Sequence, residues 1–277
     1  MGQQWGGESQ LATTPDELGS AVLLNGVGKT YESLSGSVDA ITGVSFDIAD
    51  GEFVSLIGAS GCGKSTVLKV IAGLIDHQIG DVTVLGEPAR PGRREVGLMF
   101  QAPVLLPWRT VRQNMVLPFE IFGEPVDDTI RNRAAELLNM VGLSGFGDKH
   151  PWELSGGMRQ RAALARLLVT QPSVFLMDEP LAALDELTRE RLVFELAELC
   201  ERMKQTVLYV THNIAEAVIL SDRVLVMSHH PGRVLAAVPV TLPRPRTVEL
   251  VSSVEFAEIG QEIRRVLALA DSEAAVQ

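Results

Sequence analysis

The chain reads as an α/β protein, a parallel sheet covered by helices, and three observations predict it. An apolar run, Phe53-Val54-Ser55-Leu56-Ile57, passes through a glycine-rich turn into Val67-Leu68-Lys69-Val70-Ile71-Ala72, the order strand, turn, helix. From Ser155 onward, helical and strand-like segments alternate, which calls for parallel strands joined by crossover helices. Between these halves, Ile130, Ala134, Leu137, Leu138 and Val141 recur at helical spacing.

Taken in order, residues 1 to about 20 carry Gly, Gln and Ser with little periodicity and read as a loose tail. The stretch 21 to 57 supplies β segments at Ala21 to Leu24, at Val38 to Ile48 and before the glycine turn. Val82 to Val84 and Val96 to Phe100 are further short strands. Pro103, Pro107 and Pro118 then change the texture, and residues 102 to 154 read as a helical insert. Its periodic helix starts at Asp127 or Asp128 as cap and closes at Gly142. Beyond it come helix Gly157 to Val169, strand Val174 to Met177 and helix Leu187 to Met203. Strand Thr206 to Val210, helix Ala215 to Leu220 and strand Val224 to Met227 follow. Leu242-Pro243-Arg244-Pro245-Arg246 is a stiff extended break before a last helix at 250 to 270. The domain reading is a tail 1–20, a main domain 21–246 and a helical tail 247–277.

With 277 residues and 46% apolar content, the chain can bury a large core. No apolar run is long enough to span a bilayer. The first residues lack the basic segment and apolar core of a signal peptide, and position 6 is glycine, so neither secretion nor myristoylation is expected. A formal charge of −11 disfavours nonspecific binding to nucleic acid, and no nucleic-acid partner is expected. Cys62 lies in the glycine turn and Cys200 on an apolar helical stripe, so a reducing compartment suits both.

The turn Gly58-Ala59-Ser60-Gly61-Cys62-Gly63-Lys64-Ser65-Thr66 fits G-x-x-x-x-G-K-[ST] in its required setting between strand and helix. Glycines there let successive N–H groups converge on a polyphosphate, and the helix N-terminus adds its positive end. Lys64 would reach the β- and γ-phosphates, and the Ser65 hydroxyl would hold Mg²⁺. Gly28-Lys29-Thr30 copies part of the motif, but Leu23 stands where the first glycine belongs and no helix follows. It is a decoy.

Val174-Phe175-Leu176-Met177-Asp178-Glu179 is an apolar strand ending in two carboxylates at the crevice where open α/β sheets bind ligands. Asp178 is placed for the Mg²⁺ shell and Glu179 for polarising a water. A strand from Thr206 brings His212 to the same edge, and a γ-phosphate contact is the better reading than an idle surface histidine. Leu154-Ser155-Gly156-Gly157 is a second glycine turn at a helix start, either an anion site or a plain hinge. His229-His230 reads as an exposed turn.

In this order the motifs resemble the nucleotide-binding subunits of ATP-binding cassette (ABC) transporters over residues 21 to 246. Gly58–Ser65 is similar to the Walker A loop, Gln101 to the Q-loop glutamine, Leu154–Gln160 to the signature and Val174–Glu179 to Walker B. Ala182-Ala183-Leu184-Asp185 resembles the D-loop, with Ala182 where serine is common; His212 resembles the switch histidine and Tyr31 the aromatic that stacks on adenine. The implied fold is a P-loop NTPase (RecA-like) core with an antiparallel β subdomain and an inserted α-helical subdomain. The resemblance implies that Ser65 and Gln101 ligate Mg²⁺. It further implies that two chains dock head to tail with ATP between one chain's Walker A and the other's Ser155–Gly157.

It also implies membrane permease subunits as partners, a solute-binding protein behind them, and a place on the cytoplasmic face of the membrane. Leu105-Leu106-Pro107-Trp108, Asp222 to Val224, Pro231 to Arg233 and Leu242 to Arg246 resemble the nitrate/sulfonate/taurine importers. A small anionic solute follows from that resemblance. Trp108 either meets the permease or packs the insert. The Pro-Arg pairs tie down an extended segment rather than recognise anything. The rivals are a soluble ABC ATPase, which would carry long coiled-coil insertions or two cassettes, and an ATP-gated clamp, which would not need both Glu179 and His212.

Overall fold

The computed structural model describes residues 19–33 and 36–274. The expectations for the N-terminal tail lie almost wholly outside these residues. In chain order, β1 (Ser20–Ser33) and β2 (Gly36–Ala49) precede β3 (Phe53–Ile57) and α1 (Lys64–Ile71). Strands β4 (Ile79–Val84), β5 (Glu87–Pro88) and β6 (Val96–Met99) come next. Then follow α2 (Val111–Ile121), α3 (Asp128–Met140) and α4 (Gly156–Val169). The remainder is β7 (Val174–Asp178), α5 (Glu186–Met203), β8 (Thr206–Val210), α6 (Ile214–Leu220), β9 (Arg223–Met227), β10 (Val234–Pro239) and α7 (Val254–Ala274).

Two sheets form. One is antiparallel in the order β2-β1-β4-β5; the other has six strands in the order β10-β9-β3-β8-β7-β6. All pairings in the second sheet are parallel except that of β10 with β9. Strands β3, β7 and β8 at its centre are buried along their whole length because both faces are covered. Residues alternate between two cores: Val174, Leu176, Leu208 and Val210 face the antiparallel sheet and α1. Phe175, Met177, Val207 and Tyr209 face the helices on the other side. Truncating one of them, such as Leu176→Ala, would cost about 2–5 kcal/mol.

Each helix start has a local cause. Thr110 and Gln113 form a capping box before α2, and Asp127 accepts from the Ile130 N–H to cap α3. Gly142, at φ +68°, turns the chain out of α3. Two sequence expectations change. Strand β1 runs the whole way to Ser33, so Gly28-Lys29-Thr30 lies in extended chain. Strand β10 has no counterpart in the sequence reading. The last helix is α7, and it packs on α6, β9 and β10 through Ile263 and Val266. Among the described residues, no helix is long and apolar enough to cross a membrane.

Candidate nucleotide-hydrolysis site

Strand register assembles the site. Asp178 and Leu56 both pair with Val210, and Met99 pairs with Met177, so β3, β6, β7 and β8 end level. The residues that follow, Gly58, Gln101, Glu179 and His212, therefore emerge along one sheet edge.

At that edge the chain from Gly58 to Gly63 turns into α1. Gly61 and Gly63 take φ of +78° and +101°. A Cβ at Gly63 would stand 2.5 Å from the Ile41 side chain and 2.7 Å from the Ala40 carbonyl, so only glycine lets the loop close on β2. No side chain caps α1, which leaves its first N–H groups free to meet an anion. Buried Lys64 donates from Nζ to the carbonyls of Gly58 at 2.8 Å and Ala59 at 2.7 Å. Cys62 is buried beside it, and Ser60 is exposed at the loop tip. Tyr31 reaches the same loop, its hydroxyl 3.4 Å from Thr66 Oγ1, and Lys29 Nζ lies 5.4 Å from the Tyr31 ring centroid.

Asp178 ends β7 in a buried position, and its carboxylate accepts from the Ser65 hydroxyl. Burial raises its pKa above the usual aspartate range; the Ser65 bond opposes that and the Glu179 charge adds to it. Glu179 sits in the left-handed region at φ +46°, held by its N–H donating to the Val210 carbonyl at 2.9 Å. Its Oε2 accepts from Gln101 Nε2 at 3.2 Å, and its Oε1 lies 3.4 Å from His212 Nδ1. The three residues thus meet on one carboxylate.

Ser155 caps α4 by accepting from the Met158 N–H at 3.3 Å. Gly156 faces open space except for the tip of Arg159, whereas a Cβ on Gly157 would lie 3.2 Å from the Ala183 carbonyl. Asp185 caps α5 through the Thr188 N–H at 3.0 Å, and that backbone bond holds its carboxyl below the usual range. Helix α4 packs on α2, α3 and β6, while α1 packs on β2, β4, β7 and β8. Within one chain the candidate residues therefore form two groups. Tyr31, Gly58–Thr66, Gln101, Asp178, Glu179 and His212 stand together; Ser155, Gly156, Gly157 and Asp185 gather around the loop after Glu179.

A family model described as ABC transporter matches residues 41–182. The chain belongs to the ABC transporter family. Within the family it is an ATP-binding subunit, an ATPase, and it resembles the sulfonate/taurine branch. It is 43% identical to the taurine import ATP-binding protein TauB of Rhizobium johnstonii, over 83% of this chain and 90% of that one. Identity to the aliphatic sulfonates import ATP-binding protein SsuB of Bacillus cereus is 38%, over 87% and 94%. An uncharacterized ABC transporter ATP-binding protein of Methanocaldococcus jannaschii, MJ0412, is 41% identical over 86% and 88%. Among solved structures, the ATP-binding cassette MJ0796, a dimer bound to ADP and Pi, aligns with TM-score 0.72 at 34% identity. It covers 80% of this chain and 100% of that one. The fold of this ABC cassette is therefore the P-loop NTPase fold expected from its motifs.

Sequence reading missed one group in this cassette. Glu216 is a buried carboxylate in the first turn of the short apolar helix α6. A single charge inside Ile214-Ala215-Glu216-Ala217-Val218 was the available signal.

Proposed function

We propose that the chain energises an importer, hydrolysing ATP to drive uptake of a small anionic solute through a membrane permease. The observation that carries this reading is the convergence of Gln101 and His212 on Glu179 beside the Gly58–Thr66 loop. In that reading Glu179 takes the proton of a water attacking the γ-phosphate, His212 contacts the γ-phosphate and Lys64 binds the β- and γ-phosphates.

The residues suit both ligands. Glycines with positive φ and an uncapped helix start fit a polyphosphate. The oxygen donors of Ser65, Gln101 and Asp178 fit Mg²⁺ and would hold it. When bound, the ion neutralises phosphoryl charge.

Ser155–Gly157 lies on a different packing layer from α1 of its own chain, which supports completion of each site by a second copy, head to tail. The assembly sits at the cytoplasmic face, with a solute-binding protein delivering cargo to the permease. The groove beside the edge strand β6, lined by Phe100, Val104, Pro118 and Phe122, suits the permease contact. The taurine and sulfonate relatives support a sulfonate as first candidate, with nitrate beside it and a thiamine-precursor-like solute or bicarbonate behind. A deletion strain should fail to grow on taurine or an alkanesulfonate as sole sulfur source, or on limiting nitrate. Normal growth and uptake on all of these would reject the solute assignment.

A further inference from the structure

Among the described residues, the buried carboxylates are Asp178 and Glu216, and the hydrolytic reading uses only the first. Glu216 Oε2 accepts from the Tyr209 hydroxyl at 2.9 Å and from Thr211 Oγ1 at 2.8 Å. Its Oε1 lies 3.7 Å from Arg189 Nε. Each partner leads to one side of the site. Thr211 Oγ1 accepts from the Asn213 N–H at 3.0 Å, so the two residues flanking His212 are fixed to each other and through Thr211 to Glu216. Arg189 donates to the Leu184 carbonyl at 2.8 Å and the Leu181 carbonyl at 3.4 Å, gripping the loop that follows Glu179. That loop bonds back to Glu179 through the Ala182 N–H at 3.2 Å and touches Gly157.

We propose that Glu216 and Arg189 are a positioning pair that locks the turn bearing His212 to the loop after Glu179, holding these two side chains in hydrolytic register. The inference rests on Glu179 and His212 being the hydrolytic pair. Burial of Glu216 keeps water from competing at its end of the link, while Arg189 is part-exposed and also pairs with Glu186 Oε2 at 3.1 Å. Misplacing a reacting group by 1 Å can cost about 10²-fold in rate, so a partly slackened link costs less.

The test uses the purified full-length chain, with kcat and KM for ATP measured beside melting temperature. Glu216→Gln keeps an oxygen for Tyr209 and Thr211 and turns an amide group toward Arg189, so it severs the link alone. It should lower kcat about tenfold and leave KM within about twofold. Arg189→Gln should match it, and the double variant should fall no further than either. Tyr209→Phe, which removes a bond to the same carboxylate but spares the link, should keep kcat within about twofold. A normal kcat in Glu216→Gln, additive losses, or losses that follow the unfolded fraction would each overturn the proposal. Should Glu216→Gln not fold, Arg189→Gln reads the same link from its more exposed partner. Glu179→Gln separates the two levels: if it still turns over, the hydrolytic reading itself fails, whatever Glu216→Gln does.

Discussion

The Glu179 carboxylate stands 3.4 Å from His212 Nδ1, with the Gln101 amide on its other oxygen. An acceptor so arranged can take a proton from water, and general-base catalysis is worth about 10² to 10⁴ in rate. Glu179→Gln should therefore bind ATP and lose turnover by about that factor, accumulating a closed dimer. Phosphate release and light scattering under ATP check both halves. Near-normal turnover would remove Glu179 from this role.

Lys64 and Lys29 separate the true phosphate loop from its copy. Lys64→Ala removes the buried ammonium beneath the loop and should weaken ATP binding strongly. Among the described residues, Lys29 meets the face of Tyr31, an exposed cation–π contact worth about 0.5–1 kcal/mol, so Lys29→Ala should cost at most a few-fold. Fluorescent-nucleotide titration decides it. Equal losses would mean that the strand lysine also serves the phosphates.

Tyr31→Ala should lose a stacking surface worth about 1–3 kcal/mol by analogy with base–aromatic contacts elsewhere. Because any base has a π face, GTP should also be hydrolysed, and its affinity should fall in the same variant. A base-selective effect would point instead to hydrogen-bond readout.

Trp108 is 70% exposed, so it does not pack the core of the helical insert. Trp108→Ala should leave the melting temperature almost unchanged and reduce transport per ATP in reconstituted vesicles. A large drop in melting temperature with normal coupling would reverse that assignment.

Burial pushes the Cys200 thiol from 9.0 up to about 12. The shift is upward, so its contribution to stability is complete below pH 9 and is lost as pH rises from there toward 12. In that window the unfolded chain ionises a thiol that the folded chain keeps neutral, at about 1.4 kcal/mol per pH unit. Cys200→Ala should flatten the alkaline loss in denaturant titrations. Native protein should also resist thiol alkylation at this position at pH 8. Rapid labelling without unfolding would contradict the burial.

Gly58–Thr66, Asp178, Glu179 and His212 were legible because each follows a strand whose apolar run marks its own end. Gln101 and Ser155 needed the order of motifs as well, since a lone glutamine or a Ser-Gly-Gly turn has no chemistry peculiar to it. Strand β10 escaped because Val234-Leu235-Ala236-Ala237-Val238-Pro239 lacks clean alternation and pairs antiparallel at the sheet edge. The Arg189–Glu216 contact joins two helices and obeys no spacing rule within either. Only the fold brings the two side chains together.

The expectation that the Pro-Arg pairs fasten an extended segment has a structural counterpart. Arg246, buried, donates to the carbonyls of Val218, Ile219 and Ser221 at the end of α6, and Arg244 pairs with Asp222. These bonds satisfy carbonyls that a helix end leaves open. The helix so finished is the one that begins just after His212. A chain trimmed before Arg246 would therefore uncap the switch helix. It would also strip α7 from Val224, Val226 and Val238, leaving an apolar sheet face open to aggregation. For anyone engineering the cassette, tags and fusions belong beyond α7, whose Ile263 and Val266 pack into the core.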